Sequence, residues 1–234
     1  MSQNSKHISF NGFTSQGPEF FNRLADNNNK EWFEAHRQEY ENVLLMPFKT
    51  LAAELSGFML QQDTHLQVDP SKVVSRIYRD TRFSRNKSPY KTNLWLVFRR
   101  FTKDWQSHPC WFFELAADWY RYGMGFYSAP KATMDTLRKE LELRPELFRK
   151  AIAPFVKTGI FTVEGEQYKK PLKIDLPEDL LSWRQLKNLH ITCNRKPDAL
   201  LFSSHLVEEI KVGFEALSPF YSYLWELEQR EGSL

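Results

Sequence analysis

Apolar residues recur every three or four positions through residues 18–60, a spacing that is typical of amphipathic helices. Pro18 suits the first position of a helix, and the polar run 26–29 interrupts the pattern, which predicts a helix boundary. A second helix is predicted around Trp32, and a third is predicted to begin at Pro47. The first part of the chain is therefore predicted to be helical.

The pattern changes to alternation after residue 72, and alternation favours strands. Strands are predicted at residues 73–79, 94–101, 111–117 and 120–127, with a loop at 81–92. Gly123 and Gly125 in the last of these strands indicate a bulge or a tight strand crossing. Because the connections are short, consecutive strands are expected to form an antiparallel meander.

Helical spacing returns after Ser128, a candidate N-cap. The remaining predicted elements are a helical region up to residue 155, a hairpin arm at 161–165, a helix at 180–189 and a helix at 203–228 interrupted near Pro219. Together the patterns predict an α+β fold, in which helices from both termini cover a central, mostly antiparallel sheet. Residues 18–230 are predicted to form a single domain, and residues 1–17 a partly flexible tail.

Positive charge is concentrated in one part of the chain. The net charge is only +3, yet residues 72–103 contain ten basic residues and a single acid, Asp80, a balance of +9. The other residues comprise 22 basic and 28 acidic side chains, a balance of −6. A local excess of this kind predicts an anionic partner and carries no information about the fold.

Composition also predicts a cellular compartment. The longest unbroken apolar run is residues 94–98, far below the roughly 18 residues that a spanning helix needs, and the first six residues are polar. The two cysteines, Cys110 and Cys193, are too few for a disulfide framework. We therefore expect a cytoplasmic protein without a membrane partner.

The segment from Arg76 to Lys91 is dense in functional groups. Guanidinium groups match phosphate and carboxylate geometry, and lysine adds a compact charge. On a strand, Arg76, Tyr78 and Asp80 would share one face and Arg79 would lie on the other. The residues predicted to bind a ligand are Arg76, Arg79, Asp80, Arg82, Ser84, Lys87, Tyr90 and Lys91. Among them Asp80 is expected to orient the arginines, and Ser84 and Tyr90 to add hydrogen bonds.

The same segment resembles the domain of unknown function 2461 family, whose signature is R-x-x-R-D-x-R-F followed by Asp or Asn-Lys-x-x-Tyr. The signature matches Arg76, Arg79, Asp80, Arg82, Phe83, Asn86, Lys87 and Tyr90. The runs 27–33, 122–127, 201–203 and 219–221 are similar too, so the resemblance spans nearly the whole chain. Where members usually carry glycines after Asn93, this chain has residues 95–97, Trp-Leu-Val, which changes the wall of the predicted site. The resemblance implies a single domain and no established activity.

Three functional hypotheses remain open. The first is binding of an anionic small molecule or nucleic acid, because aromatic residues such as Tyr78 and Trp95 interleave with the cations. The second is metal-assisted phosphoester hydrolysis or phosphoryl transfer, in which Asp80 and Glu114, together with Asp118, hold magnesium. The competing interpretation of Glu114 is an ion pair with an arginine of a neighbouring strand. In the third hypothesis the arginines are structural and the protein binds a partner elsewhere. No other cofactor and no oligomeric state are predicted.

Overall fold

The computed structural model describes residues 9–82, 85–169 and 176–229. Its helices and strands confirm the predicted α+β class and the antiparallel sheet. The sheet has five strands in the order β1-β2-β3-β5-β4. The strands are β1 Asn93–Phe98, β2 Pro109–Ala116, β3 Tyr120–Phe126, β4 Thr162–Glu164 and β5 His190–Arg195. The first three are neighbours in chain order, as expected for a meander, and Val163 pairs with Ile191 in the antiparallel β4–β5 ladder.

The helices before the sheet are α1 Gln16–Asp26, α2 Lys30–Ala35, α3 Arg37–Tyr40, α4 Met46–Gln62 and α5 Pro70–Val73. The Asn29 side chain caps α2 by accepting a hydrogen bond from the Trp32 N–H at 2.9 Å, which explains the predicted break. Pro47 lies in the first turn of α4, where a helix was predicted to begin. A π-helical turn, Glu41–Leu45, joins α3 to α4, and its wider winding accommodates a proline that has no N–H to donate.

Residues 73–79 were predicted to form a strand, and this is wrong. Asp69 caps the short helix α5, which ends at Val73, and only isolated bridges follow, Val74 with Leu96 and Tyr78 with Tyr90. The proline at position 70 favours the helical turn, so the alternating pattern after it does not develop into a regular strand.

The helices after β3 are α6 Lys131–Leu143, α7 Pro145–Thr158, α8 Glu178–Arg184 and α9 Leu206–Gln229. Two details differ from the prediction. Pro130, not Ser128, stands at the N-cap of α6, and α9 continues through Pro219 without interruption. Buried faces on these helices supply packing that outweighs the local cost of a proline.

The chain forms two compact units. Among the described residues, the first comprises 9–82, 85–98, 113–121 and 195–211, and the second comprises 99–112, 122–169, 176–194 and 212–229. In the first unit Phe13 stacks on Phe113 with ring centroids 5.7 Å apart and meets Phe48 edge-on at 5.1 Å. In the second unit Trp111 contacts Phe214 and Tyr221, with centroids 5.0 and 4.7 Å apart. The predicted single domain stays a prediction.

The described part of the predicted tail is packed against the first unit. Phe10 and Phe13 are buried, and the Phe13 N–H donates a hydrogen bond of 3.1 Å to the carbonyl of Leu201. Residues 1–8 lie outside the described part of the chain.

One continuous helical stretch among the described residues, Arg37–Gln62, is long and apolar enough to cross a membrane by length and composition alone. Core helices of soluble proteins pass the same test, so a single stretch of this kind is weak support for a membrane span. Phe48, Leu51 and Leu55 on this stretch are fully buried within the fold, the arrangement of a core helix.

Two strand glycines allow a close approach of backbones in the second unit. A Cβ atom on Gly123 would lie 1.9 Å from the Ile191 carbonyl oxygen, and one on Gly125 would lie 2.4 Å from the His190 Cα. Gly125 also has a φ of +155°. The predicted tight crossing is therefore present, and it is made by β3 and β5.

Candidate functional site

The basic segment forms a narrow two-stranded arm beside β1. The Arg79 N–H donates to the Pro89 carbonyl at 2.9 Å, and the Lys91 N–H donates to the Ile77 carbonyl at 2.8 Å. At the base of the arm the Ser75 N–H donates to the Trp95 carbonyl at 2.8 Å. These bonds hold the two halves of the segment, 76–79 and 89–91, side by side.

The side chain of Asn28 holds the returning half of the arm from the other side. Its Oδ1 accepts the Tyr90 N–H at 3.0 Å, and its Nδ2 donates to the Tyr90 carbonyl at 3.1 Å. A primary amide has one acceptor and one donor end, so it can pair with a backbone N–H and C=O as a neighbouring strand would. Asn28 therefore substitutes for a strand partner at this position.

We expect Asn28→Ala to lower the free energy of unfolding by about 2 kcal/mol, because it leaves both backbone groups of a buried residue unsatisfied. Urea denaturation measures this change. Asn27→Ala is the control, because the exposed amide of Asn27 bonds only the carbonyl of Arg23 in its own helix, and its effect should be small. An equal loss in the two variants would show that the pairing with Tyr90 contributes nothing.

Aromatic packing supports the arm from beneath. Tyr90 is 2% exposed and stacks on Phe33 with ring centroids 4.1 Å apart. Tyr78 packs beside Tyr90 at 5.4 Å, and its hydroxyl accepts a hydrogen bond from Arg37 at 3.1 Å. The hydrogen bond from Tyr90 to a ligand stays a prediction. Its ring is in the core, and burial raises the pKa of its hydroxyl.

Three of the predicted ligand-binding cations come together on this arm. Arg76 is exposed, while Arg79 and Lys91 are half-buried. The Lys91 Nζ lies 3.8 Å from the centre of the Trp95 ring. Burial, together with the positive charges of Arg76 and Arg79, lowers the pKa of Lys91 to about 8, and the carboxylate of Glu114 partly offsets this. Both arginines thus repel the Lys91 ammonium, and the three side chains are hereafter called the Arg76–Arg79–Lys91 cluster.

Within the described ranges, none of these three cations forms an ion pair with a carboxylate. The Arg79 Nε is buried and has no hydrogen-bond acceptor among the described residues. Buried polar atoms are usually paired, and exceptions often mark a ligand site. The cluster therefore has the positive charge that an anion requires and a buried donor without an acceptor among the described residues.

Asp80, Arg82 and Lys87, also predicted to bind the ligand, bond to one another or to the backbone. Asp80 accepts from the Arg82 Nε at 3.0 Å and from its Nη2 at 2.6 Å, and this pairing lowers the pKa of Asp80 to about 2. Both side chains are exposed, and the positive charge of Arg76 also contributes to the lowered pKa of Asp80. The Lys87 ammonium donates to the Thr81 carbonyl at 2.9 Å. Ser84 lies outside the described residues.

Glu114 forms the ion pair with an arginine of a neighbouring strand that was predicted as the alternative to metal binding. Its Oε2 accepts from the Arg121 Nε on β3 at 2.8 Å, and its Oε1 accepts from the Asn93 side chain. Asp118 is exposed. No group of three His, Cys, Asp or Glu side chains placed to hold a metal ion occurs in the described ranges. Of the three carboxylates proposed for magnesium, Asp80 and Glu114 are thus engaged with arginine or amide groups.

Sequence reasoning missed the roles of Asn28 and Trp95 in this site. Asn28 lies in one of the runs that resemble the family, but a side chain pairing with a backbone 62 positions away leaves no local pattern. Trp95 stands where family members usually carry glycine, and the residue pattern did not predict that its ring would lie against the Lys91 ammonium.

The fold and the site define an α+β protein with a cationic site beside the first strand of its sheet. The three cations of this site have no carboxylate partner among the described residues. The chain belongs to the family described as Conserved hypothetical protein (DUF2461), whose model matches residues 16–223. The predicted family membership is thereby confirmed. A comparison with curated proteins found no match.

Proposed function

We propose that the Arg76–Arg79–Lys91 cluster binds a small phosphate-bearing or other anionic ligand. The observation that carries the proposal is the combination of three convergent cations with a buried, unsatisfied Arg79 Nε. Converging positive charges destabilise a fold unless a counter-charge is supplied. The nearby carboxylate of Glu114 is engaged by Arg121, so a bound anion is the natural counter-charge.

The types of side chain favour phosphate or carboxylate. Arg76 and Arg79 offer planar forks of N–H donors, and Lys91 adds a compact ammonium. Aromatic surface adjoins these donors, because Tyr78 is 49% exposed and Trp95 is half-buried. A nucleotide would use both features, with its phosphate on the cations and its base against a ring. Nucleotides and single strands therefore belong in the first ligand panel.

The enzymatic hypothesis has less support. It needs Asp80 and Glu114 to share a divalent ion, whereas Asp80 pairs with Arg82 and Glu114 pairs with Arg121. The structural hypothesis predicts instead that replacing Arg79 would mainly lower stability. Testing each ligand with and without magnesium separates the enzymatic hypothesis from simple binding. Measuring the melting temperature of each variant separates the structural hypothesis from simple binding.

We also propose that the protein is cytoplasmic. Cys110 and Cys193 are both buried thiols, and burial raises the pKa of Cys110 to about 12, which keeps it protonated and unreactive. Thiols without bridges are ordinary in a reducing compartment.

We expect inorganic phosphate, or a phosphorylated member of the panel, to raise the melting temperature of the protein. Arg79→Met should weaken the binding of that ligand roughly ten- to a hundredfold. The estimate corresponds to the loss of one charge-assisted hydrogen-bonding group. Isothermal titration calorimetry gives the dissociation constants, and added salt should weaken binding by the wild type.

Arg82→Met is the matched control, since Arg82 is also an arginine of the segment but is paired with Asp80 and exposed. It should leave affinity within about twofold of the wild type. The proposal is overturned if no anion binds the wild type, or if the two variants lose the same affinity. An early-melting Arg79→Met in a protein that binds no anion would favour the structural hypothesis.

A further inference from the structure

The loop between β1 and β2, residues 99–108, presents an exposed ring among positive charges. Phe101 is 81% exposed, more than any other large apolar side chain in the described ranges. The loop also carries three basic residues and one acid, a balance of +2: Arg99, Arg100, Lys103 and Asp104. An apolar ring held in water beside cations suits a charged partner that has flat apolar parts.

Two further aromatic rings adjoin these charges. The centroids of Trp105 and Tyr127 are 5.9 Å apart, and the ring planes are inclined by 54°. Rings at this inclination do not stack, so neither covers the face of the other. The guanidinium carbon of Arg99 lies 4.8 Å from the centre of the Trp105 ring, and Tyr127 is 64% exposed. The residues that compose this aromatic-cationic surface are Arg99, Phe101, Lys103, Trp105 and Tyr127.

Contacts at two points hold the loop in place. The Ser128 N–H donates to the carbonyl of Gln106 at 2.9 Å, which fixes the loop against the end of β3, directly after Tyr127. The guanidinium carbon of Arg100 lies 3.9 Å from the centre of the Trp225 ring on α9. A surface that is already ordered loses little conformational entropy when a partner binds to it.

Two cations of the surface are available to an anionic partner. Arg99 and Lys103 form no ion pair with a carboxylate in the part of the chain that the structure describes. Asp104 and Glu228 both contact His108 instead, at 3.4 Å from its Nε2 and 2.8 Å from its Nδ1. The charges of Arg99 and Lys103 therefore remain open to phosphate groups.

From this geometry we propose that the aromatic-cationic surface binds single-stranded nucleic acid, with bases against its rings and phosphates on its cations. The inference goes beyond the proposed function, because the surface belongs to the second unit and shares no residue with the Arg76–Arg79–Lys91 cluster. Its ligand is a polymer, whereas the cluster takes a small anion.

The chemistry of the surface favours a single strand over other partners. An unpaired strand offers base faces for stacking on aromatic rings, whereas neighbouring bases cover those faces in a duplex. A strand also carries a phosphate between successive bases, which suits rings that are separated by cations. Three polar residues, 102–104, lie between Phe101 and Trp105. They interrupt the continuous apolar surface that a bilayer or an apolar protein partner would need.

Fluorescence anisotropy tests the proposal with the full-length protein and fluorescein-labelled oligonucleotides. Oligodeoxythymidylate and oligouridylate, each about 12 nucleotides long, distinguish DNA from RNA at a length typical of stacking sites. We expect at least one of them to bind at about 50 mM salt, with an affinity that falls as salt is added. Phe101→Ala and Tyr127→Ala should each weaken binding roughly five- to a hundredfold, because each removes the ring under one base.

Lys103→Gln separates charge from stacking. It should reduce the slope of log affinity against log salt by about 0.7, because one phosphate contact is lost, whereas Phe101→Ala should leave this slope unchanged. Leu143→Ala and Lys150→Gln are the matched controls, since both residues are exposed in the same unit and lie outside the loop. Each control should leave the affinity within about twofold of that of the wild type.

The possible outcomes distinguish this inference from the proposed function. The inference is overturned if neither oligonucleotide binds, or if Phe101→Ala and Tyr127→Ala lose no more affinity than Leu143→Ala. If Arg79→Met loses oligonucleotide binding and these two variants do not, the strand binds the Arg76–Arg79–Lys91 cluster, and only the proposed function stands. Sedimentation with vesicles of phosphatidylserine and phosphatidylcholine completes the test. A protein that binds these vesicles and neither oligonucleotide would assign the surface to a membrane and overturn the inference.

Discussion

Gly123→Ala is expected to lower the free energy of unfolding by about 3 kcal/mol or more. The added Cβ would lie 1.9 Å from the Ile191 carbonyl oxygen and 2.9 Å from its carbonyl carbon. Both atoms belong to backbone and cannot rotate away as the end of a side chain can. β3 and β5 must therefore separate, which weakens the ladder between these two strands. Urea denaturation at constant temperature measures the effect.

Gly57→Ala is the matched control, since it is the same chemical change with the opposite expected sign. Gly57 lies within α4, it is exposed, and a Cβ there would meet nothing within 4 Å. Alanine is the better helix former, so this variant should gain about 1 kcal/mol. A Gly123→Ala protein as stable as the wild type would contradict the close approach of β3 and β5.

Phe33→Ala is expected to lower the free energy of unfolding by about 3–5 kcal/mol and to weaken the anion site. Phe33 is fully buried and stacks on Tyr90, and it also contacts Tyr40 and Tyr78, with centroids 5.5 and 6.3 Å away. Its removal leaves a cavity beneath the arm that positions the Arg76–Arg79–Lys91 cluster. Stability is measured by denaturation, and site integrity is measured by phosphate titration well below the melting temperature.

Phe33→Leu tests whether the loss of stability and of phosphate affinity in Phe33→Ala comes from the cavity that the smaller side chain leaves. Leucine fills much of the cavity, so this variant should lose less stability than Phe33→Ala and retain more of the phosphate affinity. Exposed Phe101, which is 81% accessible, is the control position. Phe101→Ala should change stability by less than about 0.5 kcal/mol. If Phe33→Ala behaves like Phe101→Ala, the packing between α2 and the arm does not support the site.

Local patterns accounted for most regular elements but not for the site's geometry. Helical spacing and the polar break before α2 predicted where the N-terminal helices lie, and Asn29 confirmed the break as a cap. The same reasoning failed at residues 73–79, where alternation predicted a strand and the chain formed a helical turn followed by isolated bridges. Short amphipathic patterns depend on the neighbours that pair with them, and those neighbours are distant in sequence.

For the predicted binding residues, too, the sequence indicated the residue types but not which side chains lie together. Eight side chains within sixteen positions looked equivalent in sequence, yet the structure brings Arg76, Arg79 and Lys91 together and pairs Arg82 with Asp80. Because the arm is not a regular strand, the rule of alternating faces does not separate Arg76 from Arg79. The ring of Tyr90, another predicted ligand residue, stacks on Phe33, a contact that the sequence did not indicate.

The sequence by itself determined the α+β class, the excess of positive charge between residues 72 and 103 and the family to which the chain belongs. These properties depend on residue types and short-range spacing, which can be read directly from the sequence. The tertiary structure decided which cations lack a carboxylate partner, how the Asn28 amide holds Tyr90 and why the Lys91 amine has a lowered pKa. Charge pairing and desolvation depend on distances between residues that the fold brings together, and these distances are not encoded in local spacing.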